Sequence, residues 1–360
     1  NFVLEMRQPM LRGFGLDYNR SLIMIARNDR RISQHTFERK VRDTLRLVDE
    51  YYWRLVEARR DIVITARLLA DYQAIYEYLE ARQQFDITPV QLSATLANLQ
   101  QARADFVRRR ANVFDAQDRL VSVMNGNNIN LADATEIIPE ELPQSPQIVM
   151  DRLAEVQTAL QFRPEIREQE LRVASAQILV GRAKNEEMPR FDLTWRTTFD
   201  GLAQNADKSF DELTRGKFIE YFIGVEFEVH IGNRGPKAAH YRARLQYDQQ
   251  VTQLQSTFEK VILDVNLVVR ALQTAFDQIV PSFEAAEARE REVQSIVARA
   301  ERKDINTLTT ELNARQSLAG ARRAMLGSMV NYNIAIADLE RAKGTLLQFH
   351  NVIIPDETAS

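Results

Sequence analysis

The 360-residue chain runs through one order of features twice, about 220 residues apart. The first pass opens with a strand-like stretch, Phe2 to Met10, and the turn Arg12-Gly13-Phe14-Gly15. A long helical stretch follows, breaks at Asp86-Ile87-Thr88-Pro89 and returns as a helix ending near Asn125-Gly126. The second pass has a strand, Ile219 to Val229, then Asn233-Arg234-Gly235-Pro236 and a long helix. That helix breaks near Asp304-Ile305-Asn306 and returns to end at Lys343-Gly344. Asp86 and Gly126 are as far apart as Asp304 and Gly344, so the repeat keeps register through both returning helices. One supersecondary unit used twice, in a pseudo-symmetric assembly, is what such a repeat predicts.

Glycine and proline are few and gather at the breaks; between them run stretches of roughly 35 to 65 residues rich in Ala, Leu, Arg, Glu and Gln. Ordinary helices average about 11 to 12 residues, so these stretches belong to coiled coils or helical tubes. A net charge of -3 gives no nucleic-acid footprint. No window approaches the roughly 18 apolar residues of a membrane helix, so any bilayer must be crossed by strands or met at its surface. The lack of cysteine excludes disulfides and Cys-ligated zinc and fits an oxidising compartment. Asn1 begins inside a strand-like segment, and the first strand needs a partner, so we expect further chain before it. A missing leader therefore says nothing about location.

In the first long helix, apolar or small residues recur at Leu45, Val48, Tyr52, Leu55, Ile62, Ala66, Leu69 and Tyr76, with Arg59 and Gln73 in two slots. The returning helix shows Leu92, Leu96, Leu99, Phe106, Val113, Leu120 and Met124. The second unit runs down through Val261, Val265, Leu272, Phe283, Val293 and Val297, and back through Leu308, Leu312, Ala319, Leu326 and Ile336. A sustained seven-residue period makes antiparallel helices supercoil. An isolated coiled coil would satisfy that pattern as well as a helical tube does. Length is more discriminating: Leu16 to Gln84 would span roughly 100 Å, and its partner, Pro89 to Met124, about half of that. After Gly126 come Pro139, Pro143 and Pro146, a short amphipathic helix, and a helix from Pro164 to about Asn185. One continuous helix matched by two pieces and an interruption suits a belt around the waist of a tube.

Arg190 to Asp200 alternates, with Phe191, Leu193, Trp195, Thr197 and Phe199 against Asp192, Thr194, Arg196, Thr198 and Asp200. Lys217 to His230 repeats this, with Ile219, Tyr221, Ile223, Val225, Phe227 and Val229 on one side. Runs of about 11 residues suit tilted strands crossing a bilayer. One hairpin cannot close a barrel, so a membrane reading requires several chains. The alternative is a soluble periplasmic coiled-coil scaffold or adaptor without a membrane barrel.

Catalytic and metal signals are missing. His35, His230, His240 and His350 lie far apart, and the glycines at 13 and 15 lack a nucleotide-binding fingerprint. Glu165, Glu168 and Glu170 sit in the first turns of a helix, where carboxylates favour the dipole. Arg108-Arg109-Arg110 reads as a solvated or inter-helix charge cluster. No enzyme activity, metal or cofactor is expected.

Five segments together resemble the TolC family of outer-membrane efflux channels. They are Gln8-Pro9-Met10-Leu11-Arg12-Gly13-Phe14-Gly15; Arg163-Pro164-Glu165-Ile166-Arg167 leading to Val180-Gly181-Arg182-Ala183-Lys184-Asn185-Glu186; and Met188-Pro189-Arg190-Phe191-Asp192-Leu193. Val225 to Pro236 and Tyr332 to Ala342 complete the set, in the family's order. The resemblance implies a mainly α fold of long antiparallel coiled-coil helices forming an α-barrel. Its β-hairpins would contribute to a twelve-stranded outer-membrane β-barrel in a homotrimer, four strands per chain. The chain then divides into the end of a first hairpin (1–12), a first helical hairpin (13–126) and an equatorial segment (127–162). An ascending helix (163–188), a second β-hairpin (189–232), a second helical hairpin (233–344) and a tail (345–360) follow. The implied function is an exit duct working with a periplasmic adaptor (membrane fusion protein) and an inner-membrane pump, surrounded by outer-membrane lipid. Adaptor-contacting tips would be Phe85, Asp86, Ile87, Thr88 and Pro89, and Lys303, Asp304 and Ile305; neither has the family's usual glycine. The pore constriction, closed by aspartates in the family, would here be Thr310 and Asn313, with Asn306 and Glu301 nearby. Glu311 and Asp304 are expected on other faces.

Overall fold

The computed structural model describes residues 2–85, 87–124, 136–200, 218–299 and 305–354. In chain order these form β1 (Phe2–Pro9), α1 (Leu16–Ala81), α2 (Pro89–Met124), α3 (Arg152–Phe162) and α4 (Pro164–Glu186). Then come β2 (Arg190–Asp200), β3 (Phe218–Glu228), α5 (Arg234–Asp277), α6 (Ile279–Arg299), α7 (Ile305–Lys343) and α8 (Leu346–Phe349). Two compact units result: Asn1–Phe37 with Pro164–Glu259, and Glu38–Arg163 with Lys260–Ser360.

The first unit is a three-stranded antiparallel sheet, ordered β1-β2-β3, and the helix segments that leave it. Phe2 to Pro9 pairs with Phe199 to Asp192, and Arg190 to Asp200 pairs with Glu228 to Phe218. Both strand-to-helix turns need left-handed backbone, at Gly13 (φ 83) and at Gly232 and Asn233 (φ 84 and 41). Both also lean on the end of α4. Gly13 N donates to Asn185 Oδ1 at 2.7 Å, and Asn233 Nδ2 donates to the Glu187 carbonyl at 2.7 Å.

The second unit is built on α1. Its predicted seam meets α2: Leu55 packs with Val113 and Leu120, flanked by Val48, Tyr52 and Ile62. A second seam at Asp61, Thr65, Leu68, Tyr72, Ile75 and Leu79 has the same alternating spacing and is partly charged. Tyr72, Ile75 and Leu79 pack with Leu99, Leu308 and Leu312, so α1 contacts α7 as well as α2. Ion pairs continue this seam: Arg46–Asp338 at 2.6 Å, Asp61–Arg323 at 2.6 Å and Asp71–Arg315 at 2.8 Å. One partner's number rises as the other's falls, as antiparallel helices require.

The helix ends follow local chemistry. Thr88 and Gln91 form a reciprocal capping box (Thr88 N to Gln91 Oε1, 3.0 Å; Gln91 N to Thr88 Oγ1, 3.4 Å), and Pro89 opens α2. The second descending helix is not continuous as the periodicity suggests. It breaks at Gln278 between α5 and α6, because Pro281 has no N–H to give the Asp277 carbonyl.

Candidate functional site

The register sorts the sheet into two faces. Phe2, Leu4 and Met6 align with Phe199, Thr197 and Trp195, and these with Ile219, Tyr221 and Ile223; Leu193–Val225 and Phe191–Phe227 extend the row. On this face the outer strands are open, with Tyr221 67% and Ile223 73% exposed, while the central strand is half-covered and Thr197 is buried. The opposite face carries charge. Asp192, only 4% exposed, accepts from Arg7 and Arg190, each at 2.8 Å. Arg7 also pairs with Glu226, Arg190 reaches Glu228 at 3.7 Å, and Arg196 binds Glu5 at 2.9 Å. The ladder crosses all three strands. A sheet with one open apolar face and one internally paired polar face is suited to hydrocarbon on one side and water on the other. His230 follows β3 and His240 lies early in α5, beside Glu187 at 3.0 Å; both are boundary residues.

At the start of α7, Asn306, Thr310 and Asn313 are all exposed and, four and three apart, share one helix face. Thr310 Oγ1 donates to the Asn306 carbonyl at 2.8 Å. Glu311 is on another face, buried and bound to Arg315 at 2.6 Å. Burial alone would lower the Arg315 pKa, but its bonds to Glu311 and Asp71 outweigh that and the net shift is upward. Glu301, Lys303, Asp304 and Asp86 lie outside the described residues, as does the Ile305 side chain. At the other tip Phe85 is 85% exposed, and Thr88 and Pro89 face solvent. Ile87 instead packs inward with Leu79, Leu99 and Leu308.

The segment after α2 is pinned by side chains whose role the sequence reading missed. Tyr332 OH donates to the Pro146 carbonyl, and Asn333 Nδ2 to the Gln144 carbonyl at 2.9 Å. Ile137 N donates to Gln117 Oε1 at 2.9 Å, and Arg59 pairs with Glu136 at 2.8 Å. Buried Arg163 holds the far end, donating to Asp264 at 2.8 Å and to the Ala342 carbonyl at 3.1 Å. The motif beginning at Tyr332 thus holds the middle of this segment and the one beginning at Arg163 its far end. The triple arginine resolves into three settings: Arg108 pairs with Asp105, Arg109 with Asp61 of α1, and Arg110 lies over the Phe114 ring.

A two-faced sheet feeding long paired helices is the architecture of an outer-membrane channel protomer. The model of the family described as outer membrane efflux protein matches residues 156–345, more than half of the chain, and the chain belongs to that family. It is accordingly an outer-membrane protein of a family of passive efflux channels rather than enzymes. The probable efflux pump outer membrane protein TtgC of Pseudomonas putida is 22% identical over 300 residues, covering 82% of this chain. The chain spans 58% of that relative's length. Among solved structures, the Campylobacter jejuni CmeC outer membrane channel aligns over 95% of this chain and 70% of its own, with TM-score 0.74 and 17% identity. A membrane protein from Pseudomonas aeruginosa aligns over 95% and 83%, with TM-score 0.76 and 17% identity. These likenesses confirm the α-barrel channel fold.

Proposed function

We propose that this chain belongs to a homotrimeric exit duct that passively carries substrates from a periplasmic adaptor and an inner-membrane pump to the exterior. The open apolar face of the three-stranded sheet carries this reading. A soluble scaffold would leave that face in water, whereas lipid covers it in a barrel completed by other copies. Relatives named as efflux pump outer membrane proteins support the same assignment. The helical hairpins form the periplasmic tunnel, and residues 127–162 its belt. Asn306, Thr310 and Asn313, with Glu301, line the constriction; Phe85 to Pro89 and Lys303 to Ile305 meet the adaptor, with Ile87 supporting that surface from beneath. Asn306, Thr310 and Asn313 offer neutral amides and hydroxyls that select by size and hydrogen bonding, which leaves Glu301 as the one charged group of the proposed constriction.

Conductance of the full-length protein in planar bilayers tests this. Wild type should open ion-conducting channels, and Thr310→Asp with Asn313→Asp should shift the reversal potential toward cation preference. A protein that inserts yet conducts nothing would overturn the duct; an unchanged reversal potential would move the constriction elsewhere.

A further inference from the structure

Beside the segment that precedes α3, in the second unit, lies a depression of about 440 Å³ that the duct reading does not use. Its floor is apolar: Leu272 is fully buried, and the Phe276 and Tyr332 rings meet at 5.4 Å, tilted by 52°. Tyr332 is only 1% exposed and spends its hydroxyl on the Pro146 carbonyl, so it backs the half-buried Phe276 ring from behind. Arg152, the first residue of α3, and Arg270 of α5 stand at the rim. Some arginines of this unit are bound across helices, as Arg46, Arg163, Arg315 and Arg323 are. Among the described residues, Arg152 and Arg270 have no carboxylate partner. Asp277 also lines the hollow, leaving a local excess of one positive charge. Asn266 adds a specific demand. It lines the same space, and its Oδ1 is shut off from solvent without a hydrogen-bond donor. A buried acceptor left unpaired costs free energy, which a ligand bringing a donor would recover.

We propose that this hollow is a binding site for a small amphipathic anion. Its carboxylate or sulfonate pairs with Arg152 and Arg270, its flat apolar body lies over Phe276, and a hydroxyl donates to Asn266 Oδ1. Guanidinium forks suit planar oxyanions, and half of the residues lining this hollow are polar or charged, which suits an anion with one apolar face rather than a wholly apolar ligand. Asp277, on the same wall, disfavours dianions. The volume accommodates a two-ring aromatic acid. This site stands on the second unit's geometry alone, apart from the duct.

The test is titration of full-length protein in detergent with 6-hydroxy-2-naphthoate, followed by isothermal calorimetry against a protein-free micelle blank. Its amide, 6-hydroxy-2-naphthamide, and 2-naphthoate, which lacks the hydroxyl, serve as comparators. We expect saturable binding at one site per chain, weakened by rising salt. Exchange of the carboxylate for the amide, or Arg152→Gln with Arg270→Gln, should weaken it about tenfold or more. Loss of the hydroxyl should weaken it less, and Arg322→Gln should leave it unchanged. Should the double variant fail to assemble, the comparison of acid and amide on wild type still decides. Equal affinity for acid and amide, wild-type affinity in the double variant, or uptake no greater than the micelle blank would each overturn the site. Conductance of the same preparation is read separately, so loss of one leaves the other standing.

Discussion

Gly344 ends α7 with φ +80, and a Cβ there would come within 2.8 Å of the Phe162 carbonyl oxygen. Both the conformation and the close approach require glycine, so Gly344→Ala should cost about 1–3 kcal/mol, read as a lower unfolding temperature of the detergent-solubilised protein. The cross-helix pairs form a second residue-scale ledger. Asp61 is buried and accepts from Arg323 and Arg109. Arg323→Leu strips it of its shorter partner and should cost about 1–3 kcal/mol. Arg108→Gln removes only the exposed pair with Asp105 and should cost at most about 0.5 kcal/mol. Comparable losses in both would show that the α1–α7 ladder contributes nothing special.

Asp49 meets His350 Nε2 at 2.8 Å. Burial pushes its carboxyl above the ordinary value of 3.8, and the histidine only partly opposes this. A carboxyl raised in the folded state binds its proton better there than in the unfolded chain. Its stability contribution is therefore full below the unfolded value and is lost as pH rises through the folded one. Asp49→Asn should remove that slope. The unfolding temperature of wild type relative to the variant should fall as pH rises from below 3.8 through the acidic range. A flat difference would contradict the assigned burial.

Among the elements, the strands make the sharpest test. Ile223→Lys puts a charge at mid-strand on the apolar face and should cost about 2–4 kcal/mol at the bilayer midplane, whereas Glu220→Lys on the other face should be tolerated. Outer-membrane yield of trimer compares the two; equal yields would mean that the faces are misassigned. Pro281→Ala should restore the bond to the Asp277 carbonyl, slowing amide exchange around the break at Gln278. The strands and the α2 boundaries were legible in the sequence because each is written locally, in two-residue alternation or in a capping box with proline. The seam of α1 toward α2 was legible because it is apolar. The seam toward α7 was not, since Asp43, Arg46, Asp61 and Asp71 read as solvent-facing until their partners 200 to 300 positions away are known. Pro281 was visible but overridden by the heptad pattern around it. Tyr332 and Asn333 gave no signal of their role, because a side chain that holds a distant carbonyl leaves no local period. Of the candidate entrance, Asn306, Thr310 and Asn313 were named by the family resemblance, and their spacing agrees with one shared helix face; the inward turn of Ile87 needed α7 in place.

For the whole molecule, the three strands among the described residues place β1 and β3 at the sheet's edges, and a stable barrel needs those edges paired. Other copies of the full-length chain are the simplest source of the missing pairs, and a closed ring of identical chains satisfies every edge at once. The most direct measurement is the oligomeric mass of the full-length protein, taken from isolated outer membranes into detergent and determined by light scattering. A trimeric barrel requires detergent and has three times the mass of one chain. A monodisperse monomer or dimer that stays in solution without detergent would contradict it.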